Sequence, residues 1–185
     1  PMPYASMYSR TKYFEIDSEK AGARYAVWVT VPSAYEANPD QLFPAIYAPD
    51  GNRATILAPF ISNAGLFDPI NPLHSTIQIS VGYTGEDVKY GLAVRARDLV
   101  PPNEPPFDGA IESMRNAVPT SLLDQRGIDL YIYNMENPAA DRFLAFLTEE
   151  LHPFIISNYR IDPEAVGLFG HSYGGLFATY AAMQR

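Results

Sequence analysis

Apolar positions along the chain fall into short runs separated by turn residues, with one long helical stripe in the last third. Residues 8–18 and 23–31 read as two strands separated by Glu19-Lys20-Ala21-Gly22. The second, Ala23 to Val31, is rich in β-branched and aromatic residues and ends at Pro32, so a short hairpin is the natural connection. Leu42 to Ala48 is a continuous apolar run closed by Pro49-Asp50-Gly51-Asn52, as expected of a strand buried on both faces. Arg53–Asn63 reads as a helix made imperfect by Pro59, and Ser75–Val81 as another strand, ended by Gly82. Four prolines between Pro101 and Phe107 exclude helix and central strand there and predict a rigid surface loop. In 108–136, the least legible stretch, Ile128 to Tyr133 alternates like a strand and suggests an inserted hairpin or lid.

Asn137-Pro138 then predicts the start of a long helix, with Asn as N-cap and Pro in the first turn. Phe143, Leu147, Leu151 and Ile155 repeat every fourth residue, with Phe146 and Phe154 beside them, and Pro153 should kink the helix. Asp162-Pro163 reads as a turn, Ala165–Phe169 as a short apolar strand, and Gly174–Gln184 as helix. Strands alternating with helices predict an α/β fold with a mainly parallel sheet.

Composition narrows the function classes. A chain of 185 residues suits one domain, since domains commonly run to about 100–200 residues. With 47% hydrophobic and 18% charged residues it can bury a core. The net charge of −8, without any block of like charge, argues against nucleic-acid or anionic-membrane binding, which needs a basic face. Absence of Cys excludes disulfides, thiolate metal sites and a Cys nucleophile. No apolar run approaches the ~18 residues of a membrane span, and Pro1-Met2-Pro3-Tyr4 lacks a signal-peptide layout. The compartment stays open: cytoplasmic, or periplasmic or secreted after removal of a signal.

The chemistry concentrates in Val166-Gly167-Leu168-Phe169-Gly170-His171-Ser172-Tyr173-Gly174-Gly175. This is a predicted strand, then Gly-x-Ser-x-Gly, then a predicted helix, the context a nucleophile elbow requires. Such an elbow needs Ser172 in strained positive-φ backbone so that its hydroxyl stands above the strand end. Strand and helix are then expected to pass so closely that Gly170 and Gly174 cannot carry side chains. The helix N-terminus would turn free N–H groups toward a developing oxyanion.

Several further segments resemble the esterase branch of the α/β-hydrolase superfamily, which holds enterochelin-esterase-like, esterase D-like and feruloyl esterases. They are Phe43 to Asn52, Ile79 to Tyr83, Arg95-Ala96-Arg97-Asp98-Leu99-Val100-Pro101, and the long-helix pattern from Phe143 to Asp162. The resemblance covers most of residues 8–185, apart from 108–136. It implies an α/β-hydrolase fold and a carboxylic-ester hydrolase acting through an acyl-enzyme, with no cofactor or metal. Ser172 would be the nucleophile; the N–H of Tyr173 and that of Asn52, or of Gly51 one position earlier, would form the oxyanion hole. The expected partner is a small-molecule ester, with a siderophore lactone and simple aryl or acyl esters both open.

In this superfamily the order is Ser, then Asp or Glu, then His, yet Tyr173 to Arg185 contain none of these. The upstream histidines are poor substitutes. His171 adjoins the nucleophile inside the elbow, His152 lies in the long helix beside Pro153, and His74 precedes a strand. Lys12, Lys20 and Lys89 have no motif near the elbow. Residues 1–185 therefore read as the N-terminal portion of one catalytic domain. Its acid, base and later strands are expected beyond Arg185, in the same chain or a second one, and the elbow strand would otherwise present an unpaired apolar edge. A non-catalytic binding protein, an inactive fragment and an acyltransferase are the alternatives. Arg95, with Arg97 and Asp98, could position substrate or form structural ion pairs. Asp50 reads as shaping its turn, and Asp50, Asp68, Asp87 and Asp98 make no metal-loop spacing.

Overall fold

A computed structural model of the chain describes residues 9–62, 75–104, 106, 108–121 and 123–184. Five strands form one mixed sheet in the order β1-β2-β4-β3-β5: β1 (Thr11–Ser18), β2 (Ala23–Thr30), β3 (Phe43–Ala48), β4 (Ile77–Tyr83) and β5 (Ile161–Leu168). β1 pairs with β2, and β2 with β4, antiparallel; β3 runs parallel to both β4 and β5. The expected α/β class holds, but the described sheet is mixed rather than mainly parallel. The hairpin puts β1 and β2 on the β4 side of the parallel group, and β5 closes the other edge.

The helices are α1 (Ala34–Ala37), α2 (Gly51–Ala54), α3 (Ala58–Ser62), α4 (Glu86–Lys89), α5 (Gly91–Leu99), α6 (Ala110–Arg115), α7 (Gln125–Glu136), α8 (Ala140–Ala145), α9 (His152–Asn158) and α10 (Tyr173–Met183). A π-helical stretch, Phe146–Leu151, joins α8 to α9. The helix expected over 53–63 is thus two short pieces, and the loop from Pro101 is irregular as expected.

β4 separates two different faces. Ile79, Val81 and Tyr83 lie opposite Val29, Val27 and Tyr25 of β2, and together with Ile77 they build the apolar core. There Tyr25 stacks on Phe146 with ring centroids 4.5 Å apart, and Phe143 packs between Tyr25 and Phe177. Gln78, Ser80 and Gly82 point the other way, so that face is small and polar. α2 and α3 cover it: Gln78 Nε2 donates to Ser80 Oγ (3.1 Å), and Ser62 Oγ donates to Thr30 O (3.4 Å).

Three local expectations fail for identifiable reasons. Ile128 to Tyr133 is not a strand but the middle of α7. Asp124 caps that helix by accepting the Gly127 N–H (2.9 Å), and burial of Ile128, Tyr131 and Met135 follows helical spacing. Residues 108–136 therefore hold helices instead of a hairpin, and α7 joins the core, with Asn134 Nδ2 donating to Ala93 O of α5 (2.9 Å). Asn137-Pro138 links α7 to α8 rather than capping the latter. The Asn137 N–H closes α7 on Tyr133 O, and Ala139, whose N–H donates to Arg97 O (2.7 Å), precedes α8. The turn at Asp162-Pro163 lies inside β5: Phe43 pairs with Ile161 but Ala45 with Val166, so the strand bulges between, and Glu164 N–H donates to Asp162 Oδ1 (3.0 Å).

Pro153 cannot donate to the preceding turn, and its ring would crowd the carbonyl there. The wider π turns lie just before it, and Pro153 falls in the first turn of α9, where a missing N–H costs little. Glu150, in the π stretch, accepts from Ser18 Oγ (2.5 Å) and from the Glu19 and Lys20 N–H groups (3.0 and 3.2 Å), pinning the hairpin tip to the helix layer.

Replacing Phe146 by Ala should lower stability by about 3–5 kcal/mol in urea unfolding, because its ring is fully buried against Tyr25. Tyr133→Ala, at a position 61% exposed on α7, should stay within about 0.5 kcal/mol of the parent.

Candidate active site

β3 and β5 end side by side, with the Phe169 N–H donating to Tyr47 O (2.8 Å). After β5 the chain reverses through Gly170-His171-Ser172 into α10, and Ser172, immediately before the helix, has φ 58° and ψ −123°. Such backbone on a non-glycine residue costs of order 1–3 kcal/mol and survives only where its surroundings impose it. Here the reversal is held by Gly174 N–H to His171 O (3.0 Å) and Leu176 N–H to Ser172 O (3.0 Å). A Cβ on Gly170 would overlap the carbonyl of Gly174 and lie 2.8 Å from Gly175 N. Gly174 is less confined than its spacing suggests. A Cβ there would meet Asp50 Oδ2 and Pro49 Cγ at 3.5 Å, ordinary contact distance, so of the two elbow glycines only Gly170 is sterically required. Ser172 and His171 are both exposed.

The facing wall comes from the end of β3. Asp50 adopts left-handed backbone (φ 62°, ψ 34°) and leads into α2. Gly51 lies directly on β4: a Cβ would come within 2.6 Å of the Val81 carbonyl carbon. The Asn52 side chain clasps the next strand end, its Oδ1 accepting the Tyr83 N–H (2.7 Å) and its Nδ2 donating to Tyr83 O (3.1 Å). The side-chain amide is thereby spent on structure, which leaves Asn52 only its main-chain N–H to offer a ligand. Among the described residues neither that N–H nor the N–H of Tyr173 has an acceptor. Free N–H groups in the first turn of a helix such as α10 suit a negative oxygen.

Arg95 on α5 is engaged with the protein itself. Its Nε and Nη2 donate to Asp50 Oδ1 (2.5 Å) and Oδ2 (2.9 Å), and its guanidinium lies over the Tyr173 ring, 5.4 Å from the centroid. Arg97 makes a similar fork to Asp98 (2.7 and 2.9 Å), which is buried beside Tyr25. Burial raises the Asp98 carboxyl above its ordinary pKa, with Arg97 opposing. The ion-pair alternative thus describes both arginines.

The remaining candidates scatter. His152 Nδ1 is 2.8 Å from the Tyr47 hydroxyl, in a groove of about 560 Å³ between β5, α9 and α10, whose lining includes neither Ser172 nor Asn52. Lys89 pairs with Asp124 (2.7 Å) and Lys20 with Glu149. His74 and Asp68 fall outside the described residues. Two features went unread in the sequence: the Tyr131–Tyr173 hydroxyl pair (2.6 Å) and the Asp50–Arg95 fork. Each joins positions more than forty residues apart, and no local pattern announces them; the left-handed Asp50 was signalled only as an Asp-Gly turn.

Residues 120–185 match the family described as "Putative esterase". The apo-salmochelin esterase of Escherichia coli O6:H1 is 26% identical over 92% of this chain and 45% of its own length. The siderophore enterobactin esterase of Emericella nidulans is 31% identical over 57% of this chain and 30% of its own. Among solved structures, the siderophore hydrolase EstA from Aspergillus nidulans superimposes with a TM-score of 0.67 at 26% identity, covering 100% of this chain and 56% of that one. The chain therefore spans less than half the length of these curated relatives and about half of that structure.

The elbow geometry makes a contrast that denaturation can measure. Gly170→Ala should cost at least about 2 kcal/mol or prevent folding, whereas Gly174→Ala should change stability by less than about 1 kcal/mol.

Proposed function

We propose that the chain, which is similar to the esterase branch of the α/β-hydrolase superfamily, is an ester hydrolase working through an acyl-enzyme on Ser172. The observation carrying this reading is Ser172 itself, exposed at a strand–helix reversal with φ 58° and flanked by the N–H of Tyr173, which has no acceptor among the described residues. The Ser172 Oγ attacks the ester carbonyl carbon as its proton passes to a base. The carbonyl electron pair moves onto oxygen, and that oxyanion rests on the N–H groups of Tyr173 and Asn52. Collapse expels the alcohol and leaves an acyl-serine, which water cleaves by the same steps in reverse order. Each oxyanion donor is worth about 3–4 kcal/mol of transition-state stabilisation.

Among the described residues none supplies the base and the acid partner that this mechanism needs. No His, Asp or Glu occurs from Tyr173 to Arg185, and His152 is bonded to Tyr47 in a separate groove. In this proposal both come from sequence following Arg185, folded against the free edge of β5 as the rest of the same domain. Val166 and Phe169 at that edge are exposed among the described residues, which agrees with such a covering. The substrate class is a small-molecule ester. The names of the relatives favour a siderophore ester, and an apolar aryl or acyl ester would meet the same chemistry.

Hydrolysis of a p-nitrophenyl ester by the complete polypeptide tests the reading. Ser172→Ala should lower kcat at least about 10³-fold with the fold intact by circular dichroism. Undiminished turnover in that variant would remove Ser172 from the mechanism.

A further inference from the structure

The two proposed oxyanion donors sit on separate elements, and a single side chain bridges Tyr173 and Asp50, the residue two positions before Asn52. Asn52 follows the left-handed Asp50 by two residues at the end of β3, and Tyr173 follows Ser172 at the start of α10. Arg95 comes from a third element, α5. Its fork holds both carboxylate oxygens of Asp50, while its guanidinium carbon lies over the ring of Tyr173. The far end of that ring is fixed too: its hydroxyl meets Tyr131 Oη at 2.6 Å and Met135 Sδ at 3.8 Å, both on α7. The Arg95 side chain is only 16% exposed and that of Asp50 19%, so the charged pair is largely out of water and has little surface left for a ligand.

From this geometry we infer that Arg95 is a positioning residue of the oxyanion hole, fixing the spacing between the Asn52 and Tyr173 N–H groups. The inference rests on the esterase reading of Ser172. A paired guanidinium suits this task. The bidentate fork fixes Asp50 in orientation as well as distance, and so holds the unfavourable backbone that aims the following residues. The same cation lies over the Tyr173 ring, and an ammonium could keep that contact but not the two-pronged fork at the same time. Nothing in this arrangement requires Arg95 to touch substrate. The expectation that it binds substrate and the inference that it positions the hole therefore separate in kinetics. Loss of a substrate contact raises KM, whereas a misplaced oxyanion donor lowers kcat.

The test uses the complete polypeptide with Arg95→Met, Arg95→Lys, Asp50→Asn and the Arg95→Met/Asp50→Asn double variant. For each, kcat and KM are measured on a p-nitrophenyl ester, with thermal unfolding and fluorophosphonate labelling of Ser172 alongside. Arg95→Met and Asp50→Asn should each lower kcat by about 10- to 100-fold while KM stays within about twofold. Arg95→Lys should fall between them and the parent, and the double variant should be no slower than the slower single one, because both break one interaction. If Arg95→Met does not fold, Asp50→Asn and Arg95→Lys, which keep hydrogen-bonding groups in place, make the same comparison. Unchanged kcat in folded variants, or a loss confined to KM, overturns the inference while leaving the esterase reading intact. A parent protein that neither turns over ester nor labels at Ser172 overturns the esterase reading, and the inference falls with it.

Discussion

The contact between Gly170 and the main chain of Gly174 is the constraint on which the candidate site depends. Because the strand exit and helix entry touch there, the three intervening residues have no room for a relaxed path, and Ser172 is left with φ 58°. The same closeness directs the start of α10 toward the end of β3, where a Cβ on Gly174 would reach Asp50 and Pro49. It also lays the Tyr173 ring beneath Arg95 and against Tyr131. A side chain at position 170 would disturb all of these at once.

The opposite wall depends on a different economy of volume. β4 presents large apolar residues to the core and Gln78, Ser80 and Gly82 to the other side. On that small surface α2 can lie with Gly51 against the Val81–Gly82 backbone, close enough for Asn52 to clasp both main-chain groups of Tyr83. The position of the Asn52 N–H is thus set by the second face of the sheet, whereas that of Tyr173 is set by the core face. Arg95, reaching from α5, is where the two meet. Two layers with separate packing demands converge on one small volume, and the proposed mechanism asks them to agree to within fractions of an ångström.

Much of this was legible in the sequence because it is local. The hairpin, the apolar strands and the Gly-x-Ser-x-Gly reversal each rest on a few adjacent residues, and the strained Ser172 follows from that spacing. The illegible parts are those where tertiary contacts choose between local options. Ile128 to Tyr133 alternates well enough for a strand, yet the Asp124 cap and the demands of the core on Tyr131 and Met135 make it helical. Asn137-Pro138 carries a good helix-start signal, but α7 had already claimed Asn137 as its end. Alternation of strands and helices predicts a mainly parallel sheet because it says nothing of how the N-terminal hairpin joins it. Arg95 kept two meanings because its partner lies forty-five positions away, beyond the reach of any pattern in the chain.

The most direct measurement of the central claim is a crystal structure of the complete polypeptide after inactivation by a fluorophosphonate. The account predicts phosphorus bonded to Ser172 Oγ, with the phosphoryl oxygen about 3 Å from the main-chain nitrogens of both Tyr173 and Asn52. An adduct on another residue, or a phosphoryl oxygen turned into solvent away from those two nitrogens, would contradict it.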